Sequence, residues 1–213
     1  MMLDSAEPAI DPRLPGAAEV SDKSGLSVHE PTYDGVWVSL QPVQREHGPF
    51  LYRLAIDPKV GYRWRLRGVV PSYANFEGLL WQGIVAQFVI VRRRTQEPIG
   101  HVLAYNANVT ARHVSAGVAT VPGTHGRGLG MEGTILFLKV LFDTYNLRKV
   151  FFELPEYNLQ QFAGARRKYL TFEGTLSDHD YFGGRYWDTY YFSIDRETVD
   201  RLPILSWRRR ADQ

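Results

Sequence analysis
The sequence predicts an α/β domain on three observations. Apolar residues recur at strand spacing in about seven short runs and at helical spacing in about four, with the two kinds interleaved. A glycine-rich stretch, 121–132, separates one strand-like run from the longest helical pattern. The chain has 213 residues, 44% of them hydrophobic and 13% aromatic, enough to bury one sizeable core.

Taken in order, residues 1–30 carry Pro8, Pro12, Pro15 and Gly16 among scattered acids, and read as a flexible leader. Val36, Val38 and Leu40 alternate with Trp37, Ser39 and Gln41, a half-buried strand over 36–41. A first helix over 49–56 puts Phe50, Leu51, Leu54 and Ala55 on one face, and 63–72 is irregular, basic and aromatic. A short helix over 75–83 follows. Strands at 85–91 and 99–105 join through Thr95-Gln96-Glu97-Pro98, a hairpin signal. A strand at 113–121 runs into the glycines. The long helix, 133–145, buries Ile135, Leu138, Leu141 and Phe142. Pro155 stops a strand at 149–154, a helix spans 158–168, and 172–174 and 186–194 are closing strands around Gly183-Gly184. The domain occupies 31–200, and 201–213 form a basic tail.

Composition excludes several functions. A net charge of +2 is too small to argue for nucleic acid, and Arg92-Arg93-Arg94 and Arg208-Arg209-Arg210 read as a solvated strand end and a tail. With no cysteine there is no disulfide, thiolate metal site or cysteine nucleophile; the absence fits a cytoplasmic protein. The N-terminus lacks the basic and apolar regions of a signal peptide. The longest apolar run, 134–142, is interrupted by Lys139 and is too short to span a membrane. No metal and no membrane partner are expected, and a homodimer is left open.

The stretch Val121-Pro-Gly-Thr-His-Gly-Arg-Gly-Leu-Gly-Met-Glu132 is the strongest chemical signal. Glycines at a helix start let several free N–H groups converge, with the positive end of the helix dipole behind them, and such a turn holds anions. The plainer reading is a tight strand-to-helix connection. A P-loop would need Lys followed by Ser or Thr, where this chain has Met131-Glu132. Gly126, Gly128 and Gly130 give G-x-G-x-G late in the chain, a poor dinucleotide fingerprint.

His125-Gly126-Arg127-Gly128-Leu129-Gly130, Ile99-Gly100-His101, Met131-Glu132, Asn158, Glu173-Gly174 and Gly184-Arg185-Tyr186-Trp187-Asp188 together resemble the GNAT superfamily of acyl-CoA-dependent N-acyltransferases. The branch they are most similar to is that of the ribosomal-protein alanine N-acetyltransferases. The resemblance spans 36–198. It implies a mixed, mostly antiparallel twisted sheet of about six to seven strands flanked by about four helices and split by a cofactor slot. It implies acetyl-CoA or another acyl-CoA as co-substrate, and the primary amine of a small molecule or peptide as acceptor. On this resemblance the amides from Gly126 to Met131, with His125, hold the pyrophosphate. The backbone of Ala119 and Val121 pairs with the pantetheine arm. Asn158 touches the cofactor, or caps the helix it begins. Glu132, in the first helical turn, is structural.

In the alanine acetyltransferases that the chain resembles, a glutamate five residues before the asparagine is the general base. Here that residue is Glu153, in the apolar run Val150-Phe151-Phe152-Glu153-Leu154, where a carboxylate is costly unless used or paired. His101 and His113, on neighbouring strands, are the other candidate bases. The acid side departs from the family pattern: the usual tyrosine position is Ala165, an alternative serine position is Gln161, and Tyr169 is a nearby hydroxyl. Aromatic and basic residues (Tyr62, Trp64, Arg65, Arg67, Tyr73, Phe76, Trp81, Tyr181, Tyr186, Trp187) are candidates for the acceptor wall. Two functions follow: acyl transfer to an amine by direct attack in a ternary complex, or a GNAT-fold protein that binds acyl-CoA with little turnover.

Overall fold
The apolar run 84–92 is buried from both sides. Val89 and Val91 join one hydrophobic cluster and Ile90 another, so successive residues feed opposite faces of a sheet. A strand covered on both faces loses the alternation of a half-buried one. The structure, a computed structural model, describes residues 33–124 and 128–202. The leader 1–30, nearly all of the tail, and His125, Gly126 and Arg127 lie outside the described residues.

Strands β1 (Tyr33–Asp34), β2 (Val38–Pro42), β3 (Ile84–Arg92), β4 (Glu97–Asn108), β5 (His113–Thr120), β6 (Lys149–Pro155), β7 (Thr171–Phe182) and β8 (Arg185–Asp195) form one sheet. Their order is β1-β2-β3-β4-β5-β6-β8-β7. Every neighbouring pair is antiparallel except β5 and β6. Helices α1 (Gly48–Ile56) and α2 (Tyr73–Leu79) pack on one face through Leu51, Leu54 and Phe76. The other face carries α3 (Leu129–Thr144) and α5 (Arg196–Asp200). A 3-10 stretch, Glu156–Phe162, leads into α4 (Ala163–Lys168) beside β6. No helix among the described residues is long and apolar enough to cross a membrane.

The mixed, mostly antiparallel sheet is as expected, and the differences have local causes. Helix α2 starts earlier, at Tyr73, because the Ser72 hydroxyl accepts from the Asn75 N–H at 3.3 Å and caps it. The expected helix at 158–168 is split into a 3-10 and an α segment. Strand β7 extends to Phe182 as an exposed sheet edge, where Ser177, Asp178 and His179 give no burial signal. Helix α5 is additional: the Asp195 carboxylate accepts from the Thr198 N–H at 2.8 Å. Leu202, expected in the tail, is buried in the main core.

Two buried polar groups tie these layers together. Glu132, at the start of α3, accepts hydrogen bonds from the Val36 and Trp37 N–H groups and so anchors the N-terminal strands to the central helix. Its structural role therefore goes beyond a charge near the helix dipole. His101 lies inside the sheet with Nε2 3.0 Å from the Gln87 Oε1 and its ring edge-on to Trp64. Burial, followed by the Arg65 charge, pushes the His101 imidazole down from 6.5 to about 3.

Replacing Glu132 by Ala leaves two backbone donors without their acceptor and is expected to cost about 1–3 kcal/mol in urea unfolding, with Glu132→Gln milder. For His101 the sign follows from its lowered value: the unfolded chain takes up a proton that the native state refuses. Its contribution is full above about pH 6.5 and is lost as pH falls towards 3. In His101→Gln the loss of stability on acidification between those limits should be shallower than in the unaltered protein by about 1.4 kcal/mol per pH unit. Unfolding curves at matched pH values read the difference; parallel acid slopes would show that His101 already titrates normally in the native state.

Candidate active site
Parallel pairing of β5 with β6 stops after His113–Lys149, Val114–Val150 and Ser115–Phe151. Both strands continue, β5 to Thr120 and β6 to Pro155, so their edges part. Along β5, Val121 donates its N–H to the Ile99 carbonyl at 2.9 Å. Backbone groups alternate sides along a strand, so Ala119 and Val121 face β4 and are already used there, while Val118 and Thr120 face the gap. The expectation for the pantetheine-pairing residues is therefore shifted by one: Val118 and Thr120 hold the open edge, not Ala119 and Val121. Ala119 is nonetheless among the residues that line the slot.

Two cavities of about 350 Å³ each meet at the gap. They share Arg63, Trp64, Val118, Phe152, Asn158 and Phe162. One runs to Gly128, Gly130, Met131 and Tyr169, and the other to Tyr105, Glu153, Arg65 and Arg67. Trp64, on the wall of both cavities, packs against Gly117, where a Cβ would come within 3.1 Å of its ring.

On the first side, Gly128 takes φ 73°, a conformation that suits glycine, and begins α3 without a side-chain cap. Its carbonyl takes the Glu132 N–H at 2.9 Å, and the N–H groups of Leu129, Gly130 and Met131 in this first turn have no hydrogen-bond partner among the described residues. Gly128, Gly130 and Met131 line the slot, whereas the Leu129 side chain turns into the core. His125, Gly126 and Arg127, expected beside them, fall outside the described residues. Asn158 does not cap a helix: it lies inside the 3-10 stretch, after Pro155. It is 7% exposed, its Oδ1 has no hydrogen-bond partner among the described residues, and it lines both cavities. A buried acceptor of this kind suits a ligand amide.

On the second side, Glu153 accepts from the Ser115 hydroxyl at 2.8 Å. Burial, with the neighbouring Glu153 carboxylate adding to it, pushes the Tyr105 phenol well above its ordinary value and keeps it protonated. Neither His101 nor His113 lines either cavity. His113 sits at the paired end of β5, edge-on to Phe151 at 5.2 Å, and His101 is held by Gln87.

Of the expected acceptor wall, Trp64, Arg65 and Arg67 line the second cavity. Arg65 is a clip rather than a ligand group, since its guanidinium donates to the carbonyls of Leu79, Leu80 and Gln82. Tyr73 and Phe76 pack against Tyr52 on α1, and Trp81 is exposed. Tyr62 stacks on Phe182 at 3.9 Å, with Tyr157 and Trp187 extending that cluster, while Tyr181 and Tyr186 pair on the outer hairpin. Arg63, Tyr105 and Phe162 were missed. The period of two along β4 carried the signal for Tyr105, which falls on the same face as Leu103.

No family model matches the chain, and no curated protein matches it. Solved structures do. The spermidine N-acetyltransferase of Vibrio cholerae, in complex with coenzyme A and spermine, is 18% identical over 76% of this chain and 98% of its own, with a TM-score of 0.68. A probable GNAT-family acetyltransferase from Chromobacterium violaceum is 25% identical over 91% of this chain and 100% of its own, with a TM-score of 0.66. RimL, a ribosomal-protein α-N-acetyltransferase in complex with coenzyme A, is 17% identical over 79% of this chain and 99% of its own, with a TM-score of 0.67. With a parted sheet, a slot that ends at the start of α3 and these likenesses in shape, the fold of this chain is that of the GNAT acetyltransferases.

Proposed function
We propose that the protein is an acyl-CoA-dependent N-acetyltransferase that moves an acetyl group to the primary amine of a small molecule or peptide. The carrying observation is the junction itself: a slot ending at the N-terminus of α3 meets, through the gap between β5 and β6, a cavity lined by Glu153. The structural neighbours that hold coenzyme A, one a spermidine and one a ribosomal-protein acetyltransferase, support the same reading.

In this reading the N–H groups of Leu129, Gly130 and Met131 and the helix dipole hold the pyrophosphate. Val118, Thr120 and the Asn158 side chain bind the amide-bearing arm. Acyl-CoA supplies the activated acetyl carbonyl. Glu153, oriented by the Ser115 hydroxyl, takes the proton of the attacking amine directly or through one water. The new C–N bond forms as the C–S bond breaks, and the sulfur leaves as thiolate or takes a proton from Tyr169 on the slot wall. No cysteine exists to carry the acetyl group, so attack is direct. We infer a cytoplasmic location from the same lack of cysteine. Ala165 in the slot favours a second reading, in which acyl-CoA is bound with little turnover.

Acetyl-CoA at 100 times its dissociation constant should stabilise the protein by about 2.7 kcal/mol in a thermal titration, with no effect from ATP or NAD. Asn158→Leu should shrink that shift, and its absence in the unaltered protein would remove the cofactor from the slot. Glu153→Gln should keep the thermal shift and lower amine-dependent release of coenzyme A by about 10²–10⁴-fold. Equal release from Glu153→Gln would exclude Glu153 as base, and no release from either protein would favour the binding reading.

A further inference from the structure
The cavity on the Glu153 side is lined by three guanidinium groups and one carboxylate: Arg63, Arg65, Arg67 and Glu153. The three arginines are not equivalent. Arg65 is consumed by backbone carbonyls. Arg63 lies at the junction and also lines the slot beside the glycine turn, and its Nε donates to the Tyr62 hydroxyl. Arg67 lines the Glu153 cavity but not the slot, so its charge does not belong to the cofactor phosphates.

Arg67 is also positioned. Its backbone takes φ 49°, a left-handed conformation uncommon for a residue with a side chain. Its Nη1 lies 3.2 Å from the Asp180 Oδ2 on β7 and 3.4 Å from the Tyr157 hydroxyl, which itself donates to Asp180. These contacts use one nitrogen of the guanidinium. Among the described residues Nε and Nη2 have no partner, and the side chain is 46% exposed, at the cavity mouth. An arginine steadied at one corner with its remaining donors free is suited to a carboxylate or phosphate. The cavity that Arg67 and Glu153 share is lined also by the apolar side chains of Trp64, Leu103, Phe152 and Phe162, and by Tyr105.

Resting on the transferase reading, we propose that the acceptor is an amine with an apolar body and an anionic group, and that Arg67 binds that group while the amine faces Glu153. The selectivity is twofold. The guanidinium groups disfavour a polycation, and the free donors of Arg67 favour an acceptor that brings its own negative charge over the same molecule without one.

The test uses phenylalanine, phenethylamine and spermidine as probes. Calorimetric titration into the protein saturated with coenzyme A reads binding without turnover, and acetyl-CoA consumption with the same three amines reads transfer. Phenylalanine should bind at least about tenfold more tightly than phenethylamine, with spermidine weakest. The preference should disappear in Arg67→Gln and be mostly lost in Arg67→Lys, whose single nitrogen is left to Asp180 and brings no second donor to the anion; a preference unchanged in Arg67→Gln overturns the proposal. Phenethylamine or spermidine binding as tightly as phenylalanine overturns the proposal, as does a failure of all three to bind. If phenylalanine binds with this preference yet no amine releases coenzyme A, the anion site stands and the transferase reading falls.

Discussion
The short parallel pairing of β5 with β6 is the constraint on which the site depends. Three residue pairs hold the strands together, and beyond Ser115 and Phe151 each strand keeps its other neighbour while losing this one. An unpaired edge inside a sheet leaves amides and carbonyls that need partners. Here the edge of Val118 and Thr120 opens onto a slot deep enough for a ligand to supply them. A sheet whose pairing ran to the end of both strands would close the passage between the two cavities.

The rest of the molecule keeps that parting in place. Trp64 seats against the bare backbone of Gly117 on one face, and Asn158 and Phe162 close the junction from the segment after β6. Helix α3 is buried along most of its length, so its first turn is fixed by the core and not by a side-chain cap. Glu132 binds that turn to the N-terminal strands, which fixes the orientation of the first turn of α3. Glu153 is held from the paired end of the gap, where Ser115 is the last residue of β5 in register with β6. The slot end at the start of α3 and the carboxylate end thus take their positions around one parting of the sheet.

Sequence carried the fold wherever burial wrote a period. Strands β3, β4 and β6 and helix α3 were legible because they feed a core, and Pro155 marked the end of β6 correctly. Strand β7 was legible only at its start, since an exposed edge selects for no alternation. Glu153 and Asn158 were singled out through the family resemblance, and both line the cavity that Arg67 also lines. Composition could not separate the arginines. Arg65 and Arg67 are two positions apart in one basic segment, yet one closes on three backbone carbonyls and the other keeps free donors. Only the return of the chain at Leu79–Gln82 and at Asp180 decides between them. The choice of Ala119 and Val121 over Val118 and Thr120 was a parity error, because the side of a strand that is free depends on its register with a neighbour.

The missing tyrosine at position 165 bears on the mechanism less than the sequence suggests. Ala165 is in α4, and the Tyr169 N–H donates to its carbonyl at 2.8 Å, so the two residues lie one turn apart. Residues four apart on a helix share a face, and both line the slot. The Tyr169 hydroxyl has no hydrogen-bond partner among the described residues, unlike the hydroxyls of Thr124 and Thr134 on the same slot, which donate to nearby carbonyls. A phenol is therefore retained on that wall, displaced by one helical turn from the family position. On the proposed transferase reading, Tyr169 is therefore the candidate proton source for a leaving thiolate.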